Sequence, residues 1–198
     1  MKFFLLMLLI LCFIFQNKSK SQCPPNFIGT YTEVIVLGPG CLLEVDYCLS
    51  NYITITGNCD INIRNIRFIG NNCFNILPVD QNGMYGVPWE LIISSIARNP
   101  INFNCFNLLN IPPCSEGGSR PIVEVSNGGC YLVIDGLNGD GEYIKEYIPC
   151  AIAGINYCKQ YYSLCKENID GIWQITVTSG DPIPQFECIE PNCYSICN

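Results

Sequence analysis

Fourteen cysteines follow an apolar leader, and no other property of this chain narrows its possible folds as much. Of its 15 cysteines, Cys12 lies inside the run Phe3–Phe15 (FFLLMLLILCFIF). The rest are Cys23, Cys41, Cys48, Cys59, Cys73, Cys105, Cys114, Cys130, Cys150, Cys158, Cys165, Cys188, Cys193 and Cys197. An even number of cysteines behind such a leader reads as a disulfide framework with no free thiol. Metal ligation fits less well. No C-x-x-C spacing occurs, although zinc ribbons and redox sites are built on it, and the chain has 0 histidines. The pairing stays open at this point. Cys41–Cys48, Cys59–Cys73, Cys105–Cys114 and Cys158–Cys165 are only the shortest loops available.

The leader sets the expected compartment. Lys2 precedes an apolar run that is short for a bilayer span, and Ser19-Lys20-Ser21 places small residues where a signal peptidase needs them. Cleavage is expected after Ser21, with Gln22 as the new N-terminus and the product secreted; an uncleaved anchor is the other reading. Lipid attachment at Cys12 is disfavoured by Leu11 before it. Loss of Lys2, Lys18 and Lys20 moves the net charge from −7 to −10. An acidic chain without a basic cluster offers little to nucleic acid or to an anionic membrane surface. No second apolar run reaches spanning length, so no membrane span is expected in the mature chain. What remains is long enough to bury a core unaided.

Periodicity points to a mainly β fold: disulfide-stapled antiparallel sheets, sandwich-like, with one short amphipathic helix. Residues 22–85 read as an N-terminal β module. Its hairpin runs from Tyr31–Leu37 through Gly38-Pro39-Gly40 to Leu42–Cys48, with Leu43, Val45 and Tyr47 on one face. Tyr52–Thr56 and Ile61–Ile69 extend it around Gly57-Asn58. The second of these changes face between Ile63 and Ile66, which calls for a bulge or bend near Asn65. Residues 86–119 read as a helix and a cysteine-stapled loop. Pro88 suits a first helical position, Trp89, Ile92, Ile93, Ile96 and Ala97 form a stripe, and Asn99-Pro100 stops it. Residues 120–198 read as a C-terminal β module. Pro121–Ser126 and Tyr131–Asp135 flank Asn127-Gly128-Gly129, a hairpin turn composition, and Tyr157–Lys166 and Ile172–Thr178 flank Asp170-Gly171. Alternation puts Trp173, Ile175 and Val177 on one buried face. The two β modules stand either apart or as one compact domain. Val34–Cys41 and Val123–Cys130 also share a strand-turn-cysteine pattern, either a repeated unit or convergence of hairpins.

Several of these residues form a set: Cys23-Pro24-Pro25, Glu44–Cys48 after Cys41, the Trp89–Pro100 helix, Pro113-Cys114, Cys158-x-x-x-Tyr162-x-x-Cys165, and Cys193 with Cys197-Asn198. The set resembles uncharacterised cysteine-rich secreted proteins of environmental bacteria of the Bacteroidota and Ignavibacteria kind. The resemblance implies an exported, disulfide-rich bacterial protein and carries no established activity.

Catalysis has little to work with, and the chain is expected not to be an enzyme. Without histidine no Ser–His or Cys–His pair forms. Carboxylate pairs of the glycosidase kind remain as a third-ranked reading, from Glu33, Glu44 and Asp46 or from Asp135, Glu142 and Glu146. No cofactor is expected. The alternative is calcium at Asp135, Asn138, Asp140 and Glu142, where oxygen ligands interleave with glycine out of EF-hand register; a polar turn explains the segment equally well. Tyr157, Tyr161, Tyr162 and Tyr194 offer a platform for sugar rings, or simply packing. The leading functional expectation is a secreted structural protein of the cell surface or matrix, such as a filament subunit. Its partners are copies of itself, joined at sheet edges such as Tyr31–Leu37 and Ile172–Thr178, with Gln22–Thr32 as donor strand. A module binding surface glycans or another partner is the alternative.

Overall fold

A computed structural model describes residues 23–50, 59–80, 85–102, 105–106, 111–116, 122–127, 130–150, 158–180, 188 and 192–195. The leader with its cleavage point, Tyr52–Thr56 and Tyr157 lie outside the described residues. The protein is mainly β. In chain order the elements are β1 (Phe27–Gly38), β2 (Cys41–Ser50), β3 (Ile61–Ile69), α1 (Cys73–Ile76), α2 (Trp89–Arg98), a 3-10 turn (Pro100–Asn102), β4 (Ile122–Asn127), β5 (Cys130–Leu137), β6 (Tyr143–Pro149), β7 (Cys158–Ile169), β8 (Ile172–Ser179) and β9 (Cys193–Ser195).

The strands join in one nine-stranded sheet that forks at β3. β2 pairs antiparallel with β3 along its whole length. The other edge of β3 is shared. Ile61 and Asn62 pair with Val125 and Ser126 of β4, the one parallel contact among the described strands, and Ile66–Ile69 pair with β6. One branch runs on through β4, β7 and β8, the other through β6, β5 and β9. Asn62 anchors the fork, its buried amide donating to Ser126 Oγ at 2.8 Å.

The bulge expected near Asn65 is present. Asp46 pairs with Asn65 and Tyr47 with Ile63, so Arg64 is the extra residue. It lets Ile61 and Ile63 before it, and Ile66 and Phe68 after it, all enter the core. The β1–β2 and β7–β8 hairpins also form as the sequence suggests. α2 buries Trp89, Ile92, Ile93, Ile96 and Ala97 and packs against β8 and β1. Pro88 occupies the N-cap, one residue earlier than expected, and Asn99 turns to extended backbone before Pro100.

Other expectations are corrected. β4 and β5 do not form a hairpin despite the glycines between them. β3 and β7 occupy the edges of β4, while β6 and β9 occupy those of β5. The Val34–Cys41 and Val123–Cys130 patterns therefore build different structures. β6 was not foreseen. Trp173 is 50% exposed, because β7 and β8 run on past the core that buries Ile175 and Val177. Phe27–Thr32 is no free donor: it pairs with β2, and the Cys23–Cys48 bridge pins its start.

Six disulfides lie among the described residues: Cys23–Cys48, Cys41–Cys73, Cys59–Cys105, Cys114–Cys165, Cys130–Cys188 and Cys150–Cys193. None is a shortest loop. They join residues 25 to 58 apart in sequence and tie loops and chain ends onto the sheet. Such a framework belongs to an oxidising environment.

Candidate functional site

One face of the sheet, across β1, β2, β3, β6 and β5, points away from the core. Cross-strand register places Val34, Glu44, Arg67, Glu146 and Ile134 in one row, and Val36, Leu42, Ile69, Ile144 and Gly136 in the next. Arg67 sits between two carboxylates. Nη1 pairs with Glu44, while Nη2 and Nε donate to Glu146 Oε1 at 2.5 and 3.2 Å. Burial works against the Arg67 charge, but Glu146 and Glu44 outweigh it and its pKa is raised.

The remaining candidate carboxylates also hold structure. Glu33 accepts from Ser95 Oγ and Asn99 Nδ2, both at 2.6 Å, fastening α2 to β1. Asp46 accepts from Thr32 Oγ1 at 2.6 Å. Asp135 accepts from the Tyr143 hydroxyl at 2.7 Å and pairs with Lys145 at 3.1 Å. Lys145 is only 7% exposed and its ammonium lies 5.0 Å from the centre of the Tyr85 ring. Burial, then Asp135, pushes the Tyr143 phenol well above its usual value. Burial raises Tyr47 to about 12 and lifts Tyr147 and Tyr162 further still.

The segment considered for calcium divides in two. Asn138 Oδ1 accepts from the N–H groups of Asp140 and Glu142, its amide donates to Glu142 Oε2 at 3.0 Å, and Gly141 N–H closes onto the Asn138 carbonyl. This is a self-bonded polar turn between β5 and β6. Asp135 stands apart from it, turned to Lys145 and Tyr143. Among the described residues no three His, Cys, Asp or Glu side chains gather as a metal site. Of the tyrosines considered for a platform, the three described ones do not share one surface. Tyr161 is exposed with its hydroxyl on Glu124, Tyr162 beside it is buried, and Tyr194 lies on β9 in the other branch.

The sheet edges differ in a way the sequence did not announce. At the β8 edge, Ser94 Oγ of α2 donates to the Ile175 carbonyl at 3.3 Å, and Ser179 donates its N–H and hydroxyl to Glu90 at 3.4 and 3.2 Å. The helix thus caps that edge. At the opposite end β1, 12 residues long, pairs with β2 alone among the described strands. Val34 and Val36 are exposed on it, Cys23–Cys48 fixes its start, and Cys41–Cys73 fixes the turn after it.

Two hollows are lined by described residues. One, of about 860 Å³, has Val36, Leu42 and Ile69 as its apolar floor, with the Gly38–Gly40 turn, Asn71, Asn72 and Glu142 as its rim. The other, of about 580 Å³, lies by Val87, Trp89, Glu90, Tyr162 and Ser179, where Glu90 already bonds Ser179 and the Tyr162 hydroxyl bonds Gln160. No family model, no curated protein and no solved structure is significantly similar to this chain.

Proposed function

We propose that this chain is an exported structural protein that assembles with copies of itself outside the cell. The observation that carries this reading is the contrast between the two long edges. α2 bonds the main chain of β8 at Ile175 and Ser179 but reaches β1 through the Glu33 side chain, and β1 is long, pairs with β2 alone among the described strands and is fastened at both ends. A bare edge is a template for another strand, and natural sheets usually blunt theirs with charge, proline, bulges or a covering element. β1 has a bulge between Ile28 and Tyr31, but from Tyr31 to Val36 its register is unbroken and its outward residues include Val34 and Val36 rather than lysine. Pairing of β1 with β1 of a second copy about a two-fold axis satisfies both rows of main-chain groups at once. The carboxylates engaged in cross-strand and turn contacts leave the hydrolase reading with no observation in its favour.

Sedimentation velocity of the oxidised mature protein over a broad concentration range tests this. Mass is expected to grow with concentration, and Val34→Lys is expected to weaken that growth without lowering the melting temperature. A monomer at every concentration overturns the reading.

A further inference from the structure

The sheet has a second pair of features, a projection and a recess, placed at opposite ends of its strands. Leu42 pairs with Ile69 and Ile69 with Ile144, so the β1–β2 turn and the large hollow share one end. β4 meets β3 at the other end, at Ile61 and Asn62. Ser163 of β7 is level with Ile122, the first residue of β4, and β7 continues from there to Ile169. The β7–β8 hairpin therefore overhangs the end remote from the hollow.

The tip of that hairpin is exposed from Glu167 through Trp173. It carries Ile169, Ile172 at 66% exposure and Trp173 at 50%. Asp170 and Gly171 both hold positive φ, 53° and 85°, the tight turn that twists with its strands, and Cys114–Cys165 staples the hairpin nearer its base. The recess is equally preformed. Gly70 has φ 117°, and a Cβ there would lie 2.2 Å from the Gly40 carbonyl oxygen, so two turns close on each other over the Cys41–Cys73 bridge. Both surfaces thus lose little freedom on contact. Their chemistry also matches. Ile169, Ile172 and Trp173, on a tip that also carries Glu167 and Asp170, have their counterpart in the exposed apolar patch of Val36, Leu42 and Ile69, and tryptophan is a residue type that dominates interface energy. The Lys166 ammonium, 5.4 Å from the centre of the Trp173 ring, travels with the tip, and Glu142 stands on the rim of the recess.

We propose that the β7–β8 tip of one copy seats in the Val36–Leu42–Ile69 recess of the next, a head-to-tail contact that builds linear polymers. This rests on the self-assembly reading and adds to it. Pairing at β1 is isologous and stops at two copies, whereas a tip in a recess leaves one tip and one recess open at every step.

The test uses two variants and their mixture. Trp173→Ser removes the tip, and Leu42→Glu places a charge in the recess, with Ile69→Glu as a second recess variant should the first misfold. Retained disulfides and melting temperature identify folded variants. Each alone is expected to lose growth beyond the dimer in sedimentation velocity. Mixed one to one, the recess of the Trp173→Ser chain and the tip of the Leu42→Glu chain are expected to join and to restore growth beyond the dimer, because both chains still pair at β1. Because Trp89 is buried, a change in tryptophan emission on assembly of the unaltered protein reports on Trp173. If the unaltered protein polymerises and Trp173→Ser polymerises equally well, the tip-in-recess contact is wrong while self-assembly stands. If the unaltered protein stays monomeric, both readings fall. Folded variants that do not combine on mixing also overturn the contact.

Discussion

Arg67 shows how much one residue can hold on a sheet surface. It bridges Glu44 on one neighbouring strand and Glu146 on the other, so its removal leaves two carboxylates without their donor. Arg67→Ala is expected to cost about 2 kcal/mol in a denaturant titration, the scale for charged hydrogen bonds, and Glu44→Gln less. The buried tyrosines set the behaviour in alkali. Tyr47 ionises near 10 in the unfolded chain but only at about 12 in the fold, so between those values the folded state binds more protons. Its contribution is intact below pH 10 and is lost as pH rises through 12, with Tyr147 and Tyr162 acting in the same sense. Melting temperatures measured from pH 8 upward are expected to hold until about 10 and then fall, with phenolate absorbance appearing as the protein unfolds. Cysteine offers a sharper check. Cys158 and Cys197 are the two of the fourteen cysteines that the six described bridges leave over. Non-reducing peptide mapping is expected to find no free thiol and a Cys158–Cys197 bridge. An alkylatable thiol in the folded protein counts against it.

Among the elements, legibility followed polarity. β2 and β3 were readable because their apolar residues alternate toward the core, and the change of face in β3 gave away the bulge at Arg64. β6 escaped because its pattern is inverted: Lys145 lies inward between Tyr143 and Tyr147, while Ile144 and Ile148 point to the open face. The ring of Tyr85, distant in sequence, and the carboxylate of Asp135, its register partner on β5, help make that burial tolerable. Trp173 misled for the opposite reason, since alternation continues past the point where the core ends. The Gly-rich stretch after β4 has the composition of a turn, but composition does not say which edges are already occupied. The open face was equally illegible, because Glu44, Arg67 and Glu146 meet only through register across strands. Where β4 leaves β3, Asn62 is a sensitive point. Asn62→Ala removes the amide that donates to the buried Ser126 hydroxyl, leaving that hydroxyl its 3.5 Å bond to the Ile61 carbonyl, and is expected to cost about 1 kcal/mol, measurable as a lowered denaturation midpoint.

At the scale of the whole molecule, the bridges act where hydrogen bonds do not. Each ties a loop, a turn or a chain end to the sheet, and the longest, Cys130–Cys188, closes 58 residues. Chain-entropy arguments assign such a loop about 4 kcal/mol, so replacing both cysteines with serine is expected to lower stability on that scale. The Cys23–Cys48 bridge has another effect. It encloses β1 and nearly all of β2 in a covalent ring of 26 residues, Cys23 to Cys48. Tension applied to the chain before Cys23 passes through the sulfur pair to Cys48 and never enters the ring. A subunit tethered by that end and stretched by flow would yield elsewhere first, with its exposed strand still in register. In a single-molecule pulling trace, the contour length released on unfolding is expected to fall short by roughly 3.4 Å for each enclosed residue, and to regain it once a reductant opens the ring.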